Sequence, residues 1–231
     1  MKKLFDKMQL VVFGQFNLPP TPDVVIRLVK AFSTLNLVPN MVNQLDPFTG
    51  LLQLRVSLSN GKDLQIMFGA DRIDVQRTVD LQNSVVDVDG EKLLVEIIAI
   101  LNTLELDIER IGYVADTIWS EVSGVLAEKY RSKYLPISSE NCSEWHTKWT
   151  GINDDFAEKQ NVGVEVSRVV GVMTGNFGMA VPFDGLKFQF DISTLKDSNT
   201  PRFKGDLFIN TFYELQKTLI AKRAEICCFE E

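Results

Sequence analysis

The only histidine of the chain, His146, lies in the segment EWHTKW (144–149), which has the alternating pattern of a β-strand. Side chains of a strand alternate between its faces, so Glu144, His146 and Lys148 are expected on one face, about 7 Å apart. This spacing allows Glu144 and His146 to interact but is too long for a tight catalytic dyad. The enzymatic interpretation uses histidine as a general base beside Glu144, whereas the structural interpretation is a solvated polar row on a strand.

The two tryptophans of the same segment, Trp145 and Trp149, are predicted on the opposite face of that strand. They would belong to the protein core or to the wall of a cleft, where aromatic rings can stack on a ligand. Tyr113, in a predicted strand earlier in the chain, is a third candidate for such stacking. These residues and His146 are the candidate ligand contacts.

Arg168 interrupts an apolar row of a predicted strand, VGVEVSRVVGV (162–172). A buried guanidinium group requires a carboxylate or several carbonyl oxygens as partners. One interpretation is a structural arginine with such a partner, or a strand that changes face at a bulge. The other is an anion-binding group in a cleft, which makes Arg168 a candidate ligand-binding residue.

The composition excludes several functional classes. A formal net charge of −7 argues against nucleic-acid binding and against docking to an anionic membrane surface. No stretch has the length of a membrane span, and Asp6 and Lys7 interrupt the only apolar run near the start. Three cysteines without a C-x-x-C motif do not form a disulfide framework. A cytoplasmic protein is therefore expected.

Metal and cofactor motifs are also missing. One histidine cannot supply the usual histidine ligands of a metal site, and no G-x-S-x-G motif occurs. The segment GVMTGNFG (171–178) lacks the lysine of a phosphate-binding loop, and DVDG (87–90) is better explained as a helix cap than as a calcium loop. We predict no cofactor, no metal and no catalytic residue.

The elements that would position the candidate residues follow one order twice. Strands are predicted at 9–14, 51–59, 63–69 and 71–78 and helices at 21–36 and 91–106 in the first half. In the second half, strands are predicted at 110–119, 144–151, 162–175 and 186–194 and helices at 120–135 and 206–229. Each half therefore follows the order β-α-β-β-β-α.

This repeated order predicts an α+β fold of two repeats, 1–108 and 109–231, packed as one compact unit. Each repeat would be a mostly antiparallel sheet with helices on one face and a polar opposite face. The halves would form either one continuous sheet or two sheets that flank a cleft. The order resembles that of the duplicated TATA-box-binding-protein-like and gyrase-inhibitor-like folds, whose members bind partners through the sheet face or the cleft between repeats.

Three segments, RIGY (110–113), KFQFDIST (187–194) and LFINTFYELQKTLIAK (207–222), resemble a sporadically distributed bacterial family of unknown function. The resemblance implies a bacterial or phage context, in which defence or counter-defence systems are common, and it supplies no active-site residues.

Three functions are compatible with these observations. The first is a non-enzymatic binding module that engages a protein partner or a second copy of itself through the sheet face or the cleft. The second is a small-ligand sensor, in which Trp145, Trp149 and Tyr113 stack on the ligand and Arg168 binds an anionic group. The third is an enzyme that uses Glu144 and His146.

Overall fold

The computed structural model describes residues 2–16, 18–45, 50, 52–80, 90–120, 124–135, 144–174, 180–196 and 200–227. They form one antiparallel sheet of nine strands together with four α-helices and a short 3-10 helix, Ser33–Leu35. The strands are β1 (Lys2–Gln15), β2 (Val38–Leu45), β3 (Leu52–Ser59), β4 (Leu64–Phe68), β5 (Arg72–Asp80), β6 (Asp107–Ser120), β7 (His146–Asn153), β8 (Gln160–Thr174) and β9 (Ala180–Thr194). The helices are α1 (Pro22–Ala31), α2 (Gly90–Thr103), α3 (Gly124–Tyr134) and α4 (Asp206–Ile226).

The strand order across the sheet is β2-β3-β4-β5-β1-β6-β9-β8-β7. The long strands β1 and β6 lie side by side near its centre, with Lys2 opposite Ser120 and Gln15 opposite Asp107. These two strands belong to different halves of the chain, so the halves share one continuous sheet. The first and last strands of this order, β2 and β7, are its two edges.

The core lies between the helices and one face of the sheet. Alternate strand residues such as Leu10 and Phe190 are fully buried there. All four helices contribute to the same core, through Leu28 and Ile97 of α1 and α2 and through Tyr130 and Phe212 of α3 and α4, among others. The predicted α+β class is therefore confirmed.

Helix α4 shows how the sequence pattern determines this packing. The apolar residues predicted to form one stripe recur at helical spacing, and all are buried in the core: Phe208, Phe212, Leu215, Leu219 and Ile226. The ring of Phe212 meets that of Tyr113 on β6 edge to face, with centroids 5.4 Å apart. Helix α4 thereby covers the centre of the sheet.

The first half differs from the prediction by one strand. Segment 38–45 forms β2, which pairs with β3 from Val38 opposite Ser59 to Leu45 opposite Leu52. Its sequence, VPNMVNQL, contains a proline and lacks regular alternation of apolar and polar residues, because an edge strand buries little of either face. The element order of the first half is therefore β-α-β-β-β-β-α, and that of the second is β-α-β-β-β-α.

Candidate functional site

Edge strand β7 presents one side of its backbone outward. The N–H of Arg168 donates to the carbonyl oxygen of Trp145 at 3.0 Å, and the register continues from His146 opposite Ser167. In an antiparallel pair, alternate residues direct both backbone groups at the partner. Residues 147, 149, 151 and 153 therefore bond to β8, whereas residues 146, 148, 150 and 152 direct their N–H and C=O groups away from the sheet.

A groove of about 550 Å³ lies beside this edge, between β7 and the C-terminal half of α4. Its apolar lining includes Val162 and Val164 of β8, which are buried, and Trp149, which is 36% exposed. Helix α4 contributes Lys217 and Thr218 to the opposite wall. The groove can therefore receive an apolar side chain that enters from the sheet edge.

Contacts from α3 and α4 fix the walls of the groove. The rings of Trp149 and Tyr134 are stacked, with centroids 5.0 Å apart and an interplanar angle of 18°. The hydroxyl of Tyr130 donates to the carbonyl oxygen of Ile226 at 2.6 Å and so joins α3 to the end of α4. The position of Trp149 thus depends on both helices.

A chain of polar groups borders the groove at the far end of β7. The amide of Asn153 donates to Oγ1 of Thr218 at 3.3 Å, and this hydroxyl donates to Oε1 of Gln160 at 2.6 Å. Gln160 is fully buried, and its Nε2 atom has no hydrogen-bond partner among the described residues. A buried donor without an acceptor is costly, and here the cost falls on the residue behind Thr218 and not on the groove lining itself.

The face of the sheet opposite the four described helices, called the open face below, carries a charged cluster beside β7. Nε2 of His146 lies 3.3 Å from Oε1 of Glu165, and Nζ of Lys187 lies 4.0 Å from the same oxygen. On the adjoining strand β6, burial raises the pKa of Asp116, although the charges of Lys187 and Lys7 oppose this effect. Glu165, across the strand pair, therefore places a carboxylate next to His146.

Arg168 is held by a carboxylate. Its Nε and NH2 atoms donate to the two oxygens of Asp184 at 3.0 and 2.6 Å. These hydrogen bonds raise the pKa of Arg168 and lower that of Asp184. This geometry is the paired arginine of the structural interpretation, at the point where the apolar row leaves the core; the next valines of the row, Val170 and Val172, are exposed.

The other predicted ligand contacts lie apart from one another. Tyr113 and Trp145 are buried in the core, where the hydroxyl of Tyr113 donates to the sulfur of Met8 at 3.5 Å. Trp149 lines the groove, and His146 lies on the open face of the sheet, more than half exposed. Of the five predicted residues, Trp149 alone lines this groove.

A second group of residues on the open face escaped the sequence analysis. Strand neighbours Arg72 and Arg110 both lie against the ring of Phe13, at 5.5 and 5.2 Å from its centroid. Arg72 is paired with Asp74, whereas Arg110 donates to the Ser193 hydroxyl at 2.9 Å. The buried Nε of Arg110 has no hydrogen-bond partner in the part of the chain that the structure describes. Only the strand register brings these residues together, so no local sequence motif marks them.

Several predicted features fall outside the described residues: Cys142, Cys228, residues 87–89 of DVDG and residues 175–178 of GVMTGNFG. Among the residues that are described, no group of three histidine, cysteine, aspartate or glutamate side chains could hold a metal ion. Likewise, no helix in the described ranges is long and apolar enough to cross a membrane.

No protein-family model matches the chain, and no curated protein is significantly similar to it.

Proposed function

We propose that the protein is a non-enzymatic binding module that receives an extended segment of a protein partner along β7. Strand addition to a sheet edge uses main-chain hydrogen bonds for affinity and pockets for alternate side chains for specificity. The observation that carries the proposal is the outward-directed backbone of β7 next to the groove lined by Trp149. Side chains on one face of an added strand would enter the groove, and those on the other face would lie beside His146 and Lys148.

The location of His146 supports a binding role over a catalytic one. Its side chain is 57% exposed, and Oε1 of Glu165, which lies beside its ring, is also 4.0 Å from Nζ of Lys187. General-base catalysis needs the base within hydrogen-bond reach of a substrate that the protein holds in place. The open sheet face presents His146 to solvent, where it can contact one side of an added strand.

We also propose that the halves 1–108 and 109–231 are structural repeats that differ by the inserted strand β2. In each half the first strand is long and is followed by a helix. This strand pairs with the last strand of its own half: β1 with β5, and β6 with β9. The antiparallel pairing of β1 with β6 is what a two-fold relation between the halves would produce.

The Thr150→Pro variant tests strand addition. Thr150 directs its N–H outward, so proline at this position removes a donor from the edge without breaking the β7–β8 ladder. The probe is a phage-displayed library of random nonapeptides, panned on protein immobilised at low density. We expect the wild type and the Thr150→Ala control to enrich peptides and Thr150→Pro to lose this enrichment. Equal enrichment by Thr150→Pro, or none by the wild type, would overturn the proposal.

The arginines around Phe13 favour a second candidate function, the binding of a small anionic ligand. Arg110 has no carboxylate partner among the described residues, whereas the anion-binding capacity of Arg168 is taken up by Asp184. Inorganic phosphate should therefore raise the melting temperature of the wild type and of Arg168→Gln, but not that of Arg110→Gln. Loss of the shift in Arg168→Gln alone would instead favour the site predicted from the sequence.

A further inference from the structure

We infer that the strand received at the β7 edge is β7 of a second copy of this chain, running antiparallel to the first. The inference rests on the proposed function, because both use the outward-directed backbone of β7. A two-fold axis makes such an interface self-complementary, so each feature of the edge must meet its own counterpart. The charges of Lys148 in β7 and of Asp154, which directly follows the strand, satisfy this condition.

Lys148 and Asp154 provide the charge complementarity. Both are exposed, and neither forms an ion pair among the described residues; they lie on either side of Gly151, each three positions away. Antiparallel pairing about an axis at Gly151 places Lys148 of one copy opposite Asp154 of the other. The axis generates this pair twice, and opposite charges directly across a strand pair stabilise the pairing.

The backbone pattern allows the same register. Residues 148, 150 and 152 direct their hydrogen-bonding groups outward, so Thr150 of one copy would exchange hydrogen bonds with Ile152 of the other. Gly151 would then meet itself at a non-hydrogen-bonded position, where Cα atoms come within about 4.5 Å. Within the described ranges nothing lies within 4 Å of a Cβ built on Gly151, so these residues leave space for a second copy there. A register centred on Lys148 would instead oppose two lysines.

The proposed pairing also covers apolar surface. Ile152 is 66% exposed, although it is a large aliphatic residue at the edge of the sheet. In the proposed register it lies opposite Thr150 of the second copy, and Trp149 lies opposite Asn153 beside the groove. The burial of Ile152 and of the exposed part of Trp149 adds a hydrophobic contribution to the two ion pairs.

Reversing the charge at position 148 or at position 154 tests the register directly. The mass of each protein in solution is measured by light scattering after size-exclusion chromatography. The wild type should have twice the chain mass of 26.1 kDa. In a dimer of Lys148→Asp, both cross-strand pairs would consist of two aspartates, and in a dimer of Asp154→Lys both would consist of two lysines. Each variant should therefore associate at least tenfold more weakly than the wild type. An equimolar mixture of the two variants should restore a dimer, because both cross-strand pairs then carry opposite charges. The Lys62→Asp variant, in the β3–β4 turn, is the matched control and should remain a dimer.

The outcomes separate this inference from the proposed function. A monomeric wild type, or single variants that dimerise as strongly as the wild type, would overturn pairing with a second copy. So would single variants that remain monomeric when mixed. If Thr150→Pro still abolishes peptide enrichment in that case, strand addition at β7 stands with a different occupant.

Discussion

The two edges of the sheet are built differently. Edge strand β2 contains Pro39, which has no N–H group to offer an incoming strand. Its neighbour β3 buries Val56 and Leu58 in the core, but Leu52 and Leu54, on the same face toward the other end of the strand, are exposed. Edge strand β7 has no proline, and the corresponding residues of its neighbour β8, Val162 and Val164, are buried beside α4.

If β7 receives a strand as proposed, the difference separates a protected edge from a binding edge. Proline on an edge strand prevents unwanted strand pairing. At β7, Lys148 is the only positive charge within the strand, and the groove beside it offers a place for side chains of a partner. Under the proposed function, the groove between β7 and α4 marks β7 as the edge that receives a strand, whereas Pro39 removes one outward N–H from β2.

The largest expected difference in stability comes from placing an aspartate on the strand next to each edge, β8 or β3. Val164→Asp would bury a carboxylate at a position that is 1% exposed and should lower the free energy of unfolding by about 4 kcal/mol or more. Leu54→Asp, at a position that is 47% exposed, should change it by less than about 1 kcal/mol. Urea denaturation monitored by circular dichroism measures both. Equal decreases in the free energy of unfolding would show that Val164 and Leu54 are equally buried in solution, which would contradict the comparison.

A smaller effect is expected at the contact between α3 and α4, the two helices that position Trp149 beside the groove. Tyr130→Phe leaves the carbonyl oxygen of Ile226 without this donor and should cost about 1–3 kcal/mol. Tyr213→Phe, on the exposed face of α4, is the matched control and should be close to neutral. Thermal unfolding of both variants provides the measurement, and an unchanged melting temperature for Tyr130→Phe would show that this contact does not stabilise the fold.

The smallest effects concern one arginine–aspartate pair in each half. Burial alone would raise the pKa of Asp63, but hydrogen bonds from Asn60 and Arg77 outweigh this effect, so the pKa is lowered. Hydrogen bonds from Arg168 likewise lower the pKa of Asp184. Asp63→Asn should cost about 1 kcal/mol at neutral pH. Asp184→Asn should cost less than about 0.5 kcal/mol, because water screens this more exposed pair.

The pH dependence of these pairs has a definite sign. A carboxylate whose pKa is lowered by folding stabilises the native state above its ordinary pKa of 3.8. That stabilisation is lost as the pH falls through the lowered pKa of the folded state. The stability difference between wild type and either Asn variant should therefore vanish in strong acid, as measured by thermal unfolding at a series of pH values. A difference that persists there would assign the loss to packing.

The strands and helices that bury a regular apolar face could be predicted from the sequence, as α4 and β8 show. Strand β2 could not, because an edge strand with Pro39 carries no such pattern. The site was predicted less well than the fold. Pairing of His146 with Glu165, and of Phe13 with Arg72 and Arg110, depends on the strand register, which the sequence of a single strand does not specify.

The pairing of β1 with β6 also has a kinetic consequence. Met8 and Tyr113, which touch across this pair, are 105 positions apart in the chain. Contacts between distant residues require large loops to close, and proteins rich in them fold slowly, on the scale of milliseconds to seconds. During synthesis, β1 would emerge long before β6, so the side of β1 that pairs with β6 would stay uncovered until β6 had left the ribosome.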